Sequence, residues 1–129
     1  MTDIINAMKG KKHYIGMNGA NDKAISEAEE ALGVRFAKDY FQYVTQIGVA
    51  SFDGHELTGI CQSNRLDVVS VTRRERQKNP DIDEEWYVVE QTNMDDVTIW
   101  QNTDGEIYQT SPGSKPIKLC GSLLEYIDL

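Results

Sequence analysis

Apolar residues recur at helical spacing through the first 48 or so positions and give way to strand-like runs between Trp86 and Tyr108. Ile4, Ile5 and Met8 stand at i, i+1, i+4 and predict a short N-terminal helix, followed by a loop that Gly16 to Asn21 makes flexible. Ile25, Ala28 and Leu32 then fall at i, i+3, i+7. With Asn21 or Asp22 to cap the start, Gly33 to end it and Glu27, Glu29 and Glu30 facing water, they predict an amphipathic helix of about three turns. After a short apolar linker, Val34 to Phe36, a second helix is predicted from Lys38 to Ile47, with Tyr40, Phe41, Val44 and Ile47 as its buried stripe and Gly48 as its stop. Two such helices joined by so few residues pack as a hairpin or a corner.

Residues 49–61 change period. Phe52, Leu57 and Ile60, broken by Asp53-Gly54 and Thr58-Gly59, predict one or two short strands with tight turns. A third helix is expected from Asp67 to Lys78, capped by Asn64 or Asp67, and its basic end, Arg73 to Lys78, reads as a solvated C-terminus favoured by the helix dipole. Asn79-Pro80 stops it. The following stretch reads as strand pairing: Trp86 to Glu90, then Val97 to Trp100, then a turn at Asn102 to Gly105 and Glu106 to Tyr108. Both tryptophans lie here and read as core anchors. After a turn-rich segment, Gln109 to Lys115, the chain closes with Ile117, Leu119 and a short helix that opens on a Ser122 to Glu125 capping box. The order implies one α+β domain over the 129 residues, helices first, sheet second and a helix last.

Charge alters this picture most. Residues 1–78 carry a net charge of +1, whereas residues 79–114 contain no Lys or Arg and nine acidic side chains. These are Asp81, Asp83, Glu84, Glu85, Glu90, Asp95, Asp96, Asp104 and Glu106. The whole surplus of the −8 chain therefore sits on and around the strands. A surface of that sign repels nucleic-acid phosphates and attracts a basic protein partner. Asp81, Asp83, Glu84, Glu85, Asp95, Asp96, Asp104 and Glu106 are accordingly the candidate partner-binding residues.

Candidate chemistry is sparse. Asp53-Gly54-His55-Glu56 mixes histidine with carboxylates, but a metal site needs three or four convergent ligands, and His13 is the only other histidine, so an ordinary polar turn is the reading. The pairs Glu84-Glu85 and Asp95-Asp96 are adjacent in sequence, which on a strand points them to opposite sides, so neither shares a pocket as acid and base. No glycine pattern cradles phosphate and no Ser or Cys sits in a nucleophile motif; neither an enzyme nor a cofactor is expected. Cys61 and Cys120 form no metal-ligand spacing and fit a reduced, cytoplasmic protein. Residues 1–20 lack the apolar core of a secretory signal, and no run approaches the ~20 residues of a membrane span.

Several motifs, in this order, resemble the SUKH superfamily, the Smi/Knr-type domain. They are Ile25-x-x-Ala28-Glu29-x-x-Leu32-Gly33-Val34, Lys38-Asp39-Tyr40-Phe41, Gly48, and Gly54-x-Glu56-Leu57-x-Gly59-Ile60. Trp86 to Val89, Asp104-Gly105-x-Ile107-Tyr108 and Ser122 to Ile127 resemble its later strand, hairpin and closing helix. Ala37 stands where the family commonly has proline, and Gly48-Val49-Ala50 lacks its usual asparagine-glycine pair. The resemblance implies an α+β domain with a central, mainly antiparallel sheet flanked by helices. It implies in turn a protein-binding function. Many bacterial members are immunity proteins that neutralise a toxin, often a nuclease, and others are regulatory or scaffolding interaction modules.

Overall fold

The computed structural model describes residues 3–92 and 94–129. Its helices are α1 (Ile4–Lys9), α2 (Asp22–Leu32), α3 (Lys38–Gln46), α4 (Val68–Lys78) and α5 (Leu123–Tyr126). A small antiparallel sheet has the order β1 (Ile15–Gly16), β2 (Ala50–Phe52), β3 (His55–Glu56). A larger one has the order β4 (Tyr87–Gln91), β5 (Thr98–Gln101), β6 (Ile107–Thr110), β7 (Ile117–Cys120). An isolated bridge between Leu57 and Glu90, and the Thr58 N–H donating to the Val89 carbonyl at 2.9 Å, join the two. The expected α+β architecture is therefore present, with the sheet in two pieces and with a fourth strand, β7, that had not been anticipated.

Local chemistry sets the helix ends. The side chains of Asp3, Asn21, Asp67 and Ser122 accept from the first-turn amides of α1, α2, α4 and α5. The Ser122 to Glu125 capping box forms, but its returning arm reaches one residue further back: Glu125 Oε2 accepts the Gly121 N–H at 2.9 Å. Gly33 ends α2 in the left-handed region, φ 69°, as a helix stop requires. The loop expected at Gly16 to Asn21 is instead tied down. Ile15 and Gly16 pair with β2, and Met17 and Ala20 donate to the carbonyls of Val49 and Val44.

Strands β4 and β5 are buried on both faces. One face carries Tyr87, Val89, Ile99 and Ile107 into a core shared with α1, α2, α3 and α5. The other carries Val88 and Trp100 against Val71 of α4, with Ile82 and Trp86 packed at the margin. Trp100 is the anchor expected, and its Nε1–H donates to Thr110 Oγ1 at 2.9 Å. Trp86 is only half-buried. It stacks on Tyr108 with ring centroids 4.1 Å apart, closing that face from its rim.

A bulge interrupts β4. Tyr87 pairs with Gln101 and Val88 with Trp100, but the next partner of Ile99 is Glu90, so the register slips by one residue at Val89. A one-residue slip carries every later side chain to the opposite face. Glu90 thus joins Ile99 on the core face, 3 % exposed, and Gln91 and Thr98 turn to α4. There they meet a second buried carboxylate, Glu75. Thr98 Oγ1 donates to it at 2.9 Å and Gln91 Nε2 at 2.8 Å. Two members of the acidic and basic runs therefore leave the surface, contrary to the sequence reading. Arg76 does so in part, its Nη2 donating to the carbonyls of Leu32, Glu84 and Trp86, while Arg73, Arg74 and Lys78 stay exposed as expected of a solvated helix end.

In α3 the buried stripe is Tyr40, Tyr43, Val44 and Ile47, while Phe41 is 39 % exposed. Tyr43 is preferred inside because its hydroxyl has work there: it donates to the Thr58 carbonyl at 2.7 Å and accepts from the Ala50 N–H at 2.9 Å. Thr58 also holds Tyr40 Oη at 2.9 Å and donates to the Val88 carbonyl at 2.8 Å, linking α3 to both sheets. Gly59, next to it, lies so close to Gly48 that a Cβ would sit 1.7 Å from the Gly48 carbonyl oxygen. Backbone has little freedom to withdraw from such a clash. Gly59→Ala is expected to lower unfolding free energy by ~2–3 kcal/mol, read from the midpoint of a urea titration.

Candidate interaction surface

The eight candidate acidic residues lie on three connections around the large sheet. The first follows α4. Ile82 N–H donates to the Asn79 carbonyl at 3.2 Å, Asp83 Oδ1 accepts the Glu85 N–H at 2.9 Å and the Asp83 carbonyl accepts the Trp86 N–H at 3.1 Å, which makes a compact turn. Arg76 binds the Glu84 carbonyl at 2.7 Å, fixing this turn against the end of α2. The side chains of Asp81, Asp83, Glu84 and Glu85 are left exposed. Asp81 borders a different cleft from the others, one lined by Pro112 and Lys115.

The second connection joins β5 to β6. Asn102 Oδ1 accepts from the amides of Asp104 at 3.1 Å and Glu106 at 2.9 Å, so the asparagine builds the turn and Asp104 projects from its tip, exposed. Glu106 is occupied. Lys118 Nζ donates to its Oε2 at 2.6 Å and Asn102 Nδ2 to its Oε1 at 2.9 Å. Lys118 first, and Asn102 second, hold the Glu106 carboxyl below the usual range.

The third connection joins β4 to β5 and contains Asp95 and Asp96. Both have positive φ, 55° and 57°, and the Val97 N–H donates to the Met94 carbonyl at 3.0 Å. Both positions thus take the left-handed backbone that asparagine and glycine adopt more readily than aspartate. Since Tyr87 pairs with Gln101 and Gln91 with Thr98, this turn occupies one end of the sheet and the 102–106 turn the other, beside the entry into β4. The structure thus brings Asp83, Glu84, Glu85 and Asp104 to one end and leaves Asp95 and Asp96 at the opposite one.

At the first end, a groove of about 800 Å³ runs between the end of α2 and the β5–β6 turn, lined among others by Glu29, Glu30, Arg35, Glu85 and Thr103. The α2 glutamates were not anticipated as part of this surface. In sequence they are the polar face of a helix more than fifty residues away, and only the packing of α2 on α4 brings them here. Among the described residues no group of three or more His, Cys, Asp and Glu side chains could hold a metal ion, and no helix is long and apolar enough to cross a membrane.

The family model described as SUKH_5, SMI1-KNR4 cell-wall, matches residues 1–127. The chain belongs to the SUKH superfamily. No curated protein matches it. SUKH domains are generally immunity or protein-interaction modules.

The residues that carry the SUKH motifs do structural work here. Asp39 Oδ1 accepts from Gln101 Nε2 at 3.1 Å, and its Oδ2 accepts the Leu123 N–H at 2.7 Å, so α3 caps α5. At Ala37, the departure from proline, the backbone N–H that proline would lack donates to the buried Tyr87 hydroxyl at 2.8 Å, and that hydroxyl donates on to Gln101 Oε1 at 2.8 Å. The acidic residues at the end of the sheet belong to none of these networks. The turn at Asp95 and Asp96 is equally independent of them: the double variant Asp95→Asn, Asp96→Gly should raise stability by ~0.5–1 kcal/mol, seen as a rise in Tm of a few degrees.

Proposed function

We propose that this SUKH protein is a cytoplasmic immunity protein, and that it binds and neutralises a basic bacterial toxin domain, a nuclease in the first instance, through the acidic end of its large sheet. The observation that carries the reading is that Asp83, Glu84, Glu85 and Asp104 are exposed, share one end of the sheet with a groove edged by Glu29 and Glu30, and make no ion pair among the described residues. Exposed like charges repel one another, and a cationic partner relieves that repulsion. A nuclease must be positively charged where it holds phosphates, so occupying that region with carboxylates blocks its substrate. The mechanism is binding alone, with no chemical step and no cofactor. Asp95, Asp96 and Asp81 add to the long-range field rather than to the contact, and Glu106 acts inside the turn. The alternative use of a SUKH domain, a regulatory or scaffolding contact with a cellular protein, would draw on the same surface, and the partner's identity separates the two.

Capture from the native host followed by mass spectrometry identifies that partner, and a basic toxin is the expected one. Reversal of Asp83, Glu84, Glu85 and Asp104 to lysine should then slow association ~10- to 10³-fold at low salt and remove most of its salt dependence. Association that is insensitive to salt and to the four reversals excludes this surface.

A further inference from the structure

Glu90 reaches the core through the β4 bulge, and its carboxylate is fully engaged where the two sheets and α5 meet. Oε1 accepts from the Tyr126 hydroxyl of α5 and faces His55 Nδ1 at 2.9 Å; Oε2 accepts the Glu56 N–H at 2.8 Å. His55 and Glu56 are the whole of β3, so this one side chain holds the β2–β3 hairpin to β4 and to the C-terminal helix. Among the described residues, backbone contact between the sheets amounts to the Leu57–Glu90 bridge and the Thr58 to Val89 hydrogen bond. His55 differs from its partners in remaining open to solvent, its side chain 29 % exposed, so protons reach the ring while Glu90 stays covered.

We propose that the His55–Glu90 contact is a pH-sensitive clasp that sets how firmly the β2–β3 hairpin is docked on the large sheet. With Glu90 ionised, Nδ1 carries a proton in either state of the ring. Protonation of Nε2 converts a neutral hydrogen bond into a charged one, which is stronger. The groups around the ring agree. The hydrogen bond to Glu90 pushes the His55 pKa up, burial pulls it down, the charges of Glu90 and Asp53 push it up, and Lys11, itself paired with Asp128, pulls it down, leaving a net rise. The Glu56 side chain points away to Arg65. Burial, first, and Glu90, second, push the Tyr126 hydroxyl far up, so it stays protonated and only donates. Protonation of His55 is therefore the step that charges the contact.

The sign follows from the raised folded-state pKa. The added stability is complete below the ordinary histidine value of about 6.5 and is lost as pH rises through the raised value. Amide hydrogen exchange of the full chain by NMR tests this locally, because Glu90 Oε2 covers the Glu56 N–H. Between about pH 5.5 and about pH 8.5, after correction for intrinsic exchange, the protection of Glu56 relative to amides of β5 should fall about fivefold, the difference between a charged and a neutral hydrogen bond. In His55→Gln the ratio should not change with pH, and in Glu90→Gln the ring of His55 should titrate lower than in the wild type. A wild-type ratio that stays constant over the range overturns the clasp, whether or not the variants fold. An unchanged His55 midpoint in a folded Glu90→Gln protein does the same.

Discussion

The slip in register at Val89 is the constraint on which the rest of this molecule depends. Without it, Glu90 would share a face with Val88 and lie against α4, and the core face of β4 would continue with Gln91. With it, two carboxylates are buried on opposite faces of one sheet, each satisfied by donors from separate elements: Glu90 by His55, Tyr126 and the Glu56 amide, Glu75 by Thr98 and Gln91. A buried carboxylate is tolerable only when its oxygens are occupied, so each fixes the relative position of the elements that serve it. Glu90 holds the small sheet and α5 to the large sheet. Glu75 holds α4.

A second buried network centres on Thr58 and the tyrosines of α3. Burial pushes the hydroxyls of Tyr40, Tyr43 and Tyr87 well above their ordinary range, so these groups act as neutral hydrogen-bonding struts. Phe36, Tyr40 and Tyr87 meet at centroid separations of about 5 Å in edge-on and tilted arrangements, which adds packing to the hydrogen bonds. The SUKH motif residues are thus spent on holding helices to sheets. Of the candidate surface, Asp83, Glu84 and Glu85 lie outside them, in a connection, whereas Asp104 and Glu29 fall within the motifs.

What could be read in the sequence divides along the same line. The ends of α2 and α5 were legible because a cap and a stop act within a few residues: Asn21, Gly33 and Ser122 need no knowledge of the rest of the chain. The three long helices and the strands from Trp86 to Tyr108 were legible from periodicity. The bulge was not, because Tyr87-Val88-Val89-Glu90 carries no mark of which residue is extra, and so Glu90, counted as surface charge, was in fact interior; Glu75 was missed because its partners Thr98 and Gln91 come from the sheet. Phe41 was placed in the buried stripe for a related reason. Hydropathy favours phenylalanine inside, and the hydrogen-bond partners that make tyrosine the better choice, Thr58 and Ala50, come from other elements. For the candidate surface, the acidic segment stood out by charge alone. Its division between two ends of the sheet and the contribution of Glu29 and Glu30 are tertiary facts.

The Asp39 cap on α5 bears on how this protein comes into being. It joins residues 84 positions apart, and Tyr126 reaches back to Glu90 across 36. Contacts of such separation are slow to form, since the loop they close must first be ordered. They are also unavailable to a chain still being made. Until Ser122 to Ile127 have left the ribosome, Asp39 has only Gln101 to satisfy it and Glu90 lacks its tyrosine. Residues 122–127 therefore lock elements laid down much earlier in the chain, and a nascent chain holds these carboxylates part-satisfied until that segment has emerged.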